Sequence, residues 1–232
     1  MKFYGEGLPG VKAPDLVGKL IVIEGADGSG RSTQIRLLTD WLEGRGLATV
    51  NVGLKRSNLV SAELENAMQG NVLSPITLSL FYATDFADQL ENIIVPALKA
   101  GFVVVADRYI YTLMARDIVR GGNREWLESL YHIALIPDAV FYLDVFPRFL
   151  VERTFQKTAN LDYWESGMDI RLSRDIFDSF MRYQRMMRSE FRQMAQKYHF
   201  EVVNGNRSPR LIANDLQKKV AQIVRMRGLE EE

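Results

Sequence analysis

The stretch that most constrains how this chain can fold begins with four apolar residues, Leu20-Ile21-Val22-Ile23. They are followed by Glu24-Gly25-Ala26-Asp27-Gly28-Ser29-Gly30-Arg31-Ser32-Thr33, and then by a segment whose Ile35, Leu38 and Leu42 share one helical face. A buried strand, a glycine turn and an amphipathic helix in that order form the context of a phosphate-binding loop, here written G-x-x-x-x-G-R-S. Glycines let backbone amides turn inward around phosphate oxygens, and the helix N-terminus adds partial positive charge. Gly25, Ala26, Asp27, Gly28, Ser29, Gly30, Arg31, Ser32 and Thr33 are therefore candidate ATP-binding residues, with the Ser32 hydroxyl set to meet Mg²⁺. The usual lysine is Arg31. Its planar fork keeps the charge but is bulkier, so it either bridges two phosphate oxygens or crowds the loop.

The rest of the chain repeats the strand–helix alternation. Apolar runs at residues 47–52, 102–106, 139–143 and 200–203 read as further strands, and that at 102–106 suits a strand covered on both faces. Helical patterns fall at 57–68, from Ser74-Pro75 to 100, at 111–120, 123–135 and 148–155, along an apolar stripe from Phe177 to Tyr198, and from Pro209 onward. This predicts an α/β, three-layer fold with a five-stranded parallel sheet, helices on both faces and a lid segment. Residues 1–18, dense in glycine and proline, read as a flexible N-terminal arm; 19–227 form the domain, with a lid at about 153–174 where the apolar period breaks down; 228–232 are an acidic tail.

Composition narrows the chemistry. The 232 residues contain no cysteine, which excludes disulfides, thiolate nucleophiles and cysteine-held metals, and only two histidines, His132 and His199, in apolar surroundings that suit structural roles. Lys plus Arg and Asp plus Glu are 29 each, so no net positive charge favours nucleic acid. No apolar run is long enough to span a membrane and no signal pattern opens the chain, which points to a cytoplasmic protein without membrane or nucleic-acid partners.

A second signal sits at another strand end: Val103-Val104-Val105-Ala106 runs into Asp107-Arg108-Tyr109. Ligands of open α/β sheets bind at that edge. Asp107 suits a Mg²⁺ contact and Arg108 a phosphate clamp. With these residues the sequence resembles the thymidylate kinase family, through residues 25–34, Asp107-Arg108-Tyr109, Phe81-Tyr82-Ala83, Leu143-Asp144-Val145 and residues 202–206. The resemblance implies transfer of the ATP γ-phosphoryl group to dTMP, with Mg²⁺, in a homodimer. It gives Asp27 to the acceptor sugar, Arg108 to the acceptor phosphate, Phe81 to the acceptor base, and Asn204 and Asn206 to the adenine side. Because Gly28 and Ser29 stand where the loop otherwise carries an arginine, the resemblance implies that the lid supplies one, from Arg153, Arg171 or Arg174. Arg31, Arg108 and these three are the catalytic candidates.

The chain also departs from the family. Where an arginine usually contacts the acceptor stands Asp85, and where bacterial members often carry a tyrosine near the sugar stands Arg116. Arg116, tethered by Asp85 or Asp88, is expected to replace the missing cation, so Asp85 and Arg116 join the acceptor-binding candidates. Two other readings stay open: a nucleoside kinase, whose hydroxyl acceptor needs a carboxylate base such as Glu24, Asp27 or Asp85, and a nucleotide-binding interaction protein that has lost turnover.

Overall fold

The computed structural model describes residues 1–70, 73–158 and 160–224. In chain order the elements are β1 (Lys19–Glu24), α1 (Arg31–Glu43), β2 (Thr49–Gly53), α2 (Ser61–Gly70), α3 (Pro75–Gln89), α4 (Val95–Lys99), β3 (Val103–Asp107), α5 (Ile110–Val119), α6 (Arg124–Leu130), β4 (Ala139–Asp144), α7 (Pro147–Thr158), α8 (Ile176–Lys197), β5 (Glu201–Asn204) and α9 (Pro209–Ile223). The strands form one parallel sheet in the order β2-β3-β1-β4-β5. Register pairs Ile23 and Gly53 with Asp107, and Asp144 with Asn204, so the strands end along a common edge.

Alternation along the strands divides the core. Ile21, Ile23, Val103, Val105, Phe141 and Leu143 pack against Leu38 and Leu42 of α1 and Ile212 and Leu216 of α9. Leu20, Val22, Val104, Ala106, Val140 and Tyr142 face the opposite layer, with Phe86 of α3, Leu113 of α5 and Phe191 of α8. Both faces of the sheet are buried, which is why the strands read as continuous apolar runs.

Helix signals decide most boundaries. Ser74 caps α3, its hydroxyl accepting the Thr77 amide at 3.3 Å, with Pro75 in the first turn. A π-helical turn at Leu90–Ile94 joins α3 to α4, one turn before Pro96, which has no amide to give. The helix expected at 57–68 begins only at Ser61, because Ser57 is used as a turn residue whose hydroxyl accepts the Leu59 amide at 2.9 Å. The pattern at 123–135 yields helix only to Leu130, followed by turns.

The arm expected to be flexible is pinned. Leu8 and Leu16 are buried, Phe3 bridges to Leu135, the Tyr4 amide donates to Ala134 O at 2.9 Å, and the Tyr4 and Tyr111 hydroxyls lie 2.6 Å apart. Its glycines serve close approaches: a Cβ on Gly5 would meet His132 at 2.8 Å. The lid candidate is more regular than expected, since α7 reaches Thr158 and a 3₁₀ turn occupies Met168–Ile170. The acidic tail lies outside the described residues.

Candidate active site

The glycine loop joins β1 to α1. Gly25, Gly28 and Gly30 have φ of 152°, 79° and 96°, values that side-chain residues rarely adopt. A Cβ on Gly28 would also press on Thr154 Oγ1 at 3.3 Å, where α7 crosses the loop. Gly30, the N-cap of α1, offers no side-chain acceptor, so the helix presents uncapped amides to the sheet edge.

Arg31 is 8% exposed and donates to four protein acceptors. Its Nε donates to Asp107 Oδ1 at 2.7 Å, Nη1 to the Gly25 and Ala26 carbonyls, and Nη2 to Asp27 Oδ1 at 3.3 Å. Burial opposes its charge, but Asp107 and Asp27 more than offset that and raise its pKa above the ordinary arginine value. A lysine ammonium could not span these four acceptors, which lie on different sides of a planar fork.

Next to it, Arg108 follows β3 with φ 70°, a strained conformation for a side-chain residue, and its Nη2 lies 2.8 Å from Asp27 Oδ1. Its buried Nε has no hydrogen-bond acceptor among the described residues. Arg116 of α5 pairs with Glu165 and lies 3.9 Å from Asp27 Oδ2. Burial favours a neutral Asp27, yet Arg108, Arg31 and Arg116 hold its carboxyl well below the usual range. Glu165 is pushed the other way, by burial and by Asp27 beside it, even against Arg116. Of this hydrogen-bonded pair, Glu165 is the member that takes up a proton first.

Glu24 anchors the arrangement from behind. It is wholly buried and accepts the Tyr109 amide at 2.9 Å and the Thr112 hydroxyl at 2.5 Å. Burial raises its pKa to about 7, against those bonds and the Arg108 and Arg31 charges. Both oxygens are occupied, so it ties β1 to α5 and has no access to an acceptor.

Between the loop, the end of β3, α5 and the lid lies an open cleft of about 410 Å³, within the usual size range of ligand sites. Its cationic wall consists of Arg31, Lys55, Arg56, Arg108, Arg116 and Arg153, facing Asp27, Asp107, Asp162 and Glu165; Tyr82, Trp164 and Phe180 add aromatic surface.

Several expectations require correction. Asp85 does not touch Arg116: it accepts the Lys55 and Ser57 amides, each at 2.9 Å, and is 1% exposed. It therefore serves neither as a tether for Arg116 nor as a base, and burial pushes its pKa up even against those bonds. The partner of Arg116 is Glu165 instead. Phe81 is partly buried against the core, and its neighbour Tyr82, a member of that core, reaches the cleft wall. Arg171 and Arg174 are exposed and line no part of the cleft, whereas Arg153 reaches the Gly28, Ser29 and Gly205 carbonyls at 3.4, 3.3 and 3.0 Å. Asn204 and Asn206 lie outside the cleft wall, in a turn where Asn204 Oδ1 accepts the Asn206 amide at 3.0 Å, and Arg153 links that turn to the glycine loop. On α8, Arg188 grips Asp144 with bonds of 2.6 and 3.0 Å.

Sequence reasoning does not single out Lys55, Arg56, Trp164, Glu165 or Phe180. Lys55-Arg56 had one available signal: a basic pair just past the strand ending at Gly53, at the ligand-binding edge.

The thymidylate kinase family model matches residues 23–216, from the end of β1 into α9. The chain belongs to the thymidylate kinase family. It is 36% identical over 208 residues to "Probable thymidylate kinase 2" of Saccharolobus solfataricus, covering 89% of this chain and 97% of that protein. It is 32% identical to "Probable thymidylate kinase" of Thermococcus kodakarensis, over 84% of this chain and 94% of that one. With "Thymidylate kinase" of Brachyspira hyodysenteriae it shares 33% identity, over 70% of this chain and 81% of the relative. The pinned arm precedes the matched region of this thymidylate kinase family member.

Proposed function

We propose that this chain transfers the γ-phosphoryl group of ATP to the phosphate of dTMP, yielding ADP and dTDP. The observation that carries this reading is the convergence of the glycine loop and the Asp107-Arg108 strand end on one arginine-walled cleft. A monophosphate acceptor is already largely ionised near neutrality, its second pKa being about 6, so attack needs positioning and charge neutralisation more than a base. The cleft is suited to that: it has no histidine on its walls, and Asp27, beside Arg108 and Arg31, is too weakly basic to take a hydroxyl proton effectively.

In this reading the loop amides and the α1 N-terminus hold the ATP phosphates. Arg31 and Arg153 meet the negative charge spread over the transferring group, while Arg108 and Arg116 hold the acceptor phosphate. Asp27 faces the acceptor sugar, Tyr82 stands near its base, and Asn204 and Asn206 flank the adenine. The Ser32 hydroxyl and the Asp107 carboxylate are hard oxygen donors, which fit Mg²⁺ shared with the nucleotide phosphates. Bound Mg²⁺ supplies further neutralisation of the β- and γ-phosphates.

The family resemblance also supports a homodimer, for which the exposed Ile76 and Leu80, one turn apart on α3, offer an apolar contact. No helix of the described residues is long and apolar enough to cross a membrane, and a supply of ATP and dTMP favours the cytoplasm.

Incubation with ATP, Mg²⁺ and a panel of nucleosides and monophosphates, followed by ADP release, tests the proposal. Turnover with dTMP is expected. Turnover with nucleosides alone would assign a nucleoside kinase, and ATP binding without acceptor-dependent turnover would assign a nucleotide-binding protein.

A further inference from the structure

One face of α3 carries acceptors for the loop that follows β2. Asp85 Oδ1 receives the Ser57 amide and Oδ2 the Lys55 amide, both at 2.9 Å, and Gln89 Nε2 steadies the carboxylate at 3.0 Å. Asp88 Oδ2 receives the Ser57 hydroxyl at 2.6 Å, and Gln89 Oε1 the Gly53 amide at 3.4 Å. Positions 85, 88 and 89 lie three and four residues apart, so all three side chains project toward the same loop. Lys55, in the middle of it, sits at φ 56°, a conformation that persists only when its surroundings enforce it. The loop delivers Lys55 and Arg56 to the cleft wall, with Arg56 Nη2 3.9 Å from Asp107 Oδ2.

We propose that Asp85 is a positioning residue for the acceptor: by clamping the Lys55 and Ser57 amides it aims Lys55 and Arg56 into the cleft, supplying through the loop the positive charge that the family usually carries at this helix position itself. This rests on the thymidylate kinase reading. It has a consequence opposite to a residue-by-residue analogy with the family. Installing the missing arginine at position 85 removes the clamp and places a second cation in a buried site, so acceptor binding weakens.

The test measures dTMP affinity by calorimetry, and KM and kcat for both substrates, in wild type, D85N, D85R, K55A/R56A and D85N/K55A/R56A. Asn turns an amide donor toward one of the two loop amides, so D85N is expected to weaken dTMP binding by about tenfold, the scale of a lost charge-assisted hydrogen bond, and to leave the ATP KM within about twofold. D85R is expected to bind dTMP no better than D85N. In the K55A/R56A background, D85N is expected to change dTMP affinity by less than about twofold, because the groups it positions are gone. Tighter dTMP binding by D85R, or an equal D85N penalty in both backgrounds, overturns the proposal. If D85N fails to fold, S57A keeps both amide bonds to Asp85 but removes the hydroxyl bonds to Asp88 and to the Leu59 and Val60 amides, loosening the same loop; it is expected to weaken dTMP binding selectively, and an unchanged dTMP affinity overturns the proposal. A wild-type protein inactive on dTMP would instead remove the kinase reading beneath it.

Discussion

Replacing Glu24 by Gln isolates the ionisation of one wholly buried carboxyl group. Glu24 accepts the Tyr109 amide and the Thr112 hydroxyl, and burial lifts its pKa from 4.5 to about 7. The unfolded chain gives up this proton near the ordinary value, while the folded chain keeps it until pH rises through about 7. Between those limits the folded state binds more protons than the unfolded one, so folding stability falls as pH rises. The contribution is fully present below the unfolded pKa and is lost above the folded one. At about 1.36 kcal/mol for each tenfold change in the ionisation constant, a rise from 4.5 to about 7 corresponds to about 3 kcal/mol. Glutamine keeps an acceptor for the Tyr109 amide and offers a donor to Thr112, but does not titrate. Urea unfolding at pH 4.5 and pH 8, followed by tryptophan fluorescence, is therefore expected to show wild type losing about 3 kcal/mol relative to E24Q across that range. A constant difference between the two proteins would refute the reasoning, because Glu24 would then ionise as readily folded as unfolded.

The remaining predictions concern the arginines. R153A is expected to lower kcat by about a thousandfold, the lower end of what a transition-state arginine contributes, while R171A and R174A stay within about threefold of wild type; rapid-quench turnover distinguishes them. R116A removes the arginine that pairs with Glu165 and is expected to raise the dTMP KM about 10- to 100-fold with little change in the ATP KM; an unchanged dTMP KM discards an acceptor role for Arg116. R31K replaces a fork that serves Asp107, Asp27 and two loop carbonyls with a compact ammonium, and is expected to cost about 1–3 kcal/mol of stability, or roughly 3–8 °C in Tm, read by calorimetry.

The sheet was legible because burial on both faces leaves its strands as uninterrupted apolar runs, and the loop was legible because glycine spacing and a strand–helix setting coincide at residues 25–33. The arm was not. Its glycines and prolines signal irregular backbone, and only the fold brings Phe3 to Leu135 and Tyr4 to Tyr111. Position 85 shows the limit of local reading most clearly. A carboxylate in place of a cation looked like a partner for Arg116, but the 55–57 loop folds back onto it, a contact set by tertiary structure and not by helix spacing. Glu165 escaped notice for the opposite reason: it lies where periodicity is lost, so nothing local marks its side chain as the one that reaches Arg116. Among the lid arginines the sequence offered three equal candidates, and the crossing of α7 over Gly28 separates Arg153 from the other two.

The central claim is that donor and acceptor phosphates meet in a single cleft between the glycine loop and the Asp107-Arg108 strand end. A bisubstrate analogue joining adenosine and thymidine through a chain of phosphates tests it directly by calorimetry. The account predicts one molecule bound per chain, displaced by ATP and by dTMP alike, with affinity reduced in R108A. Displacement by only one of the two nucleotides, or no binding, would contradict it.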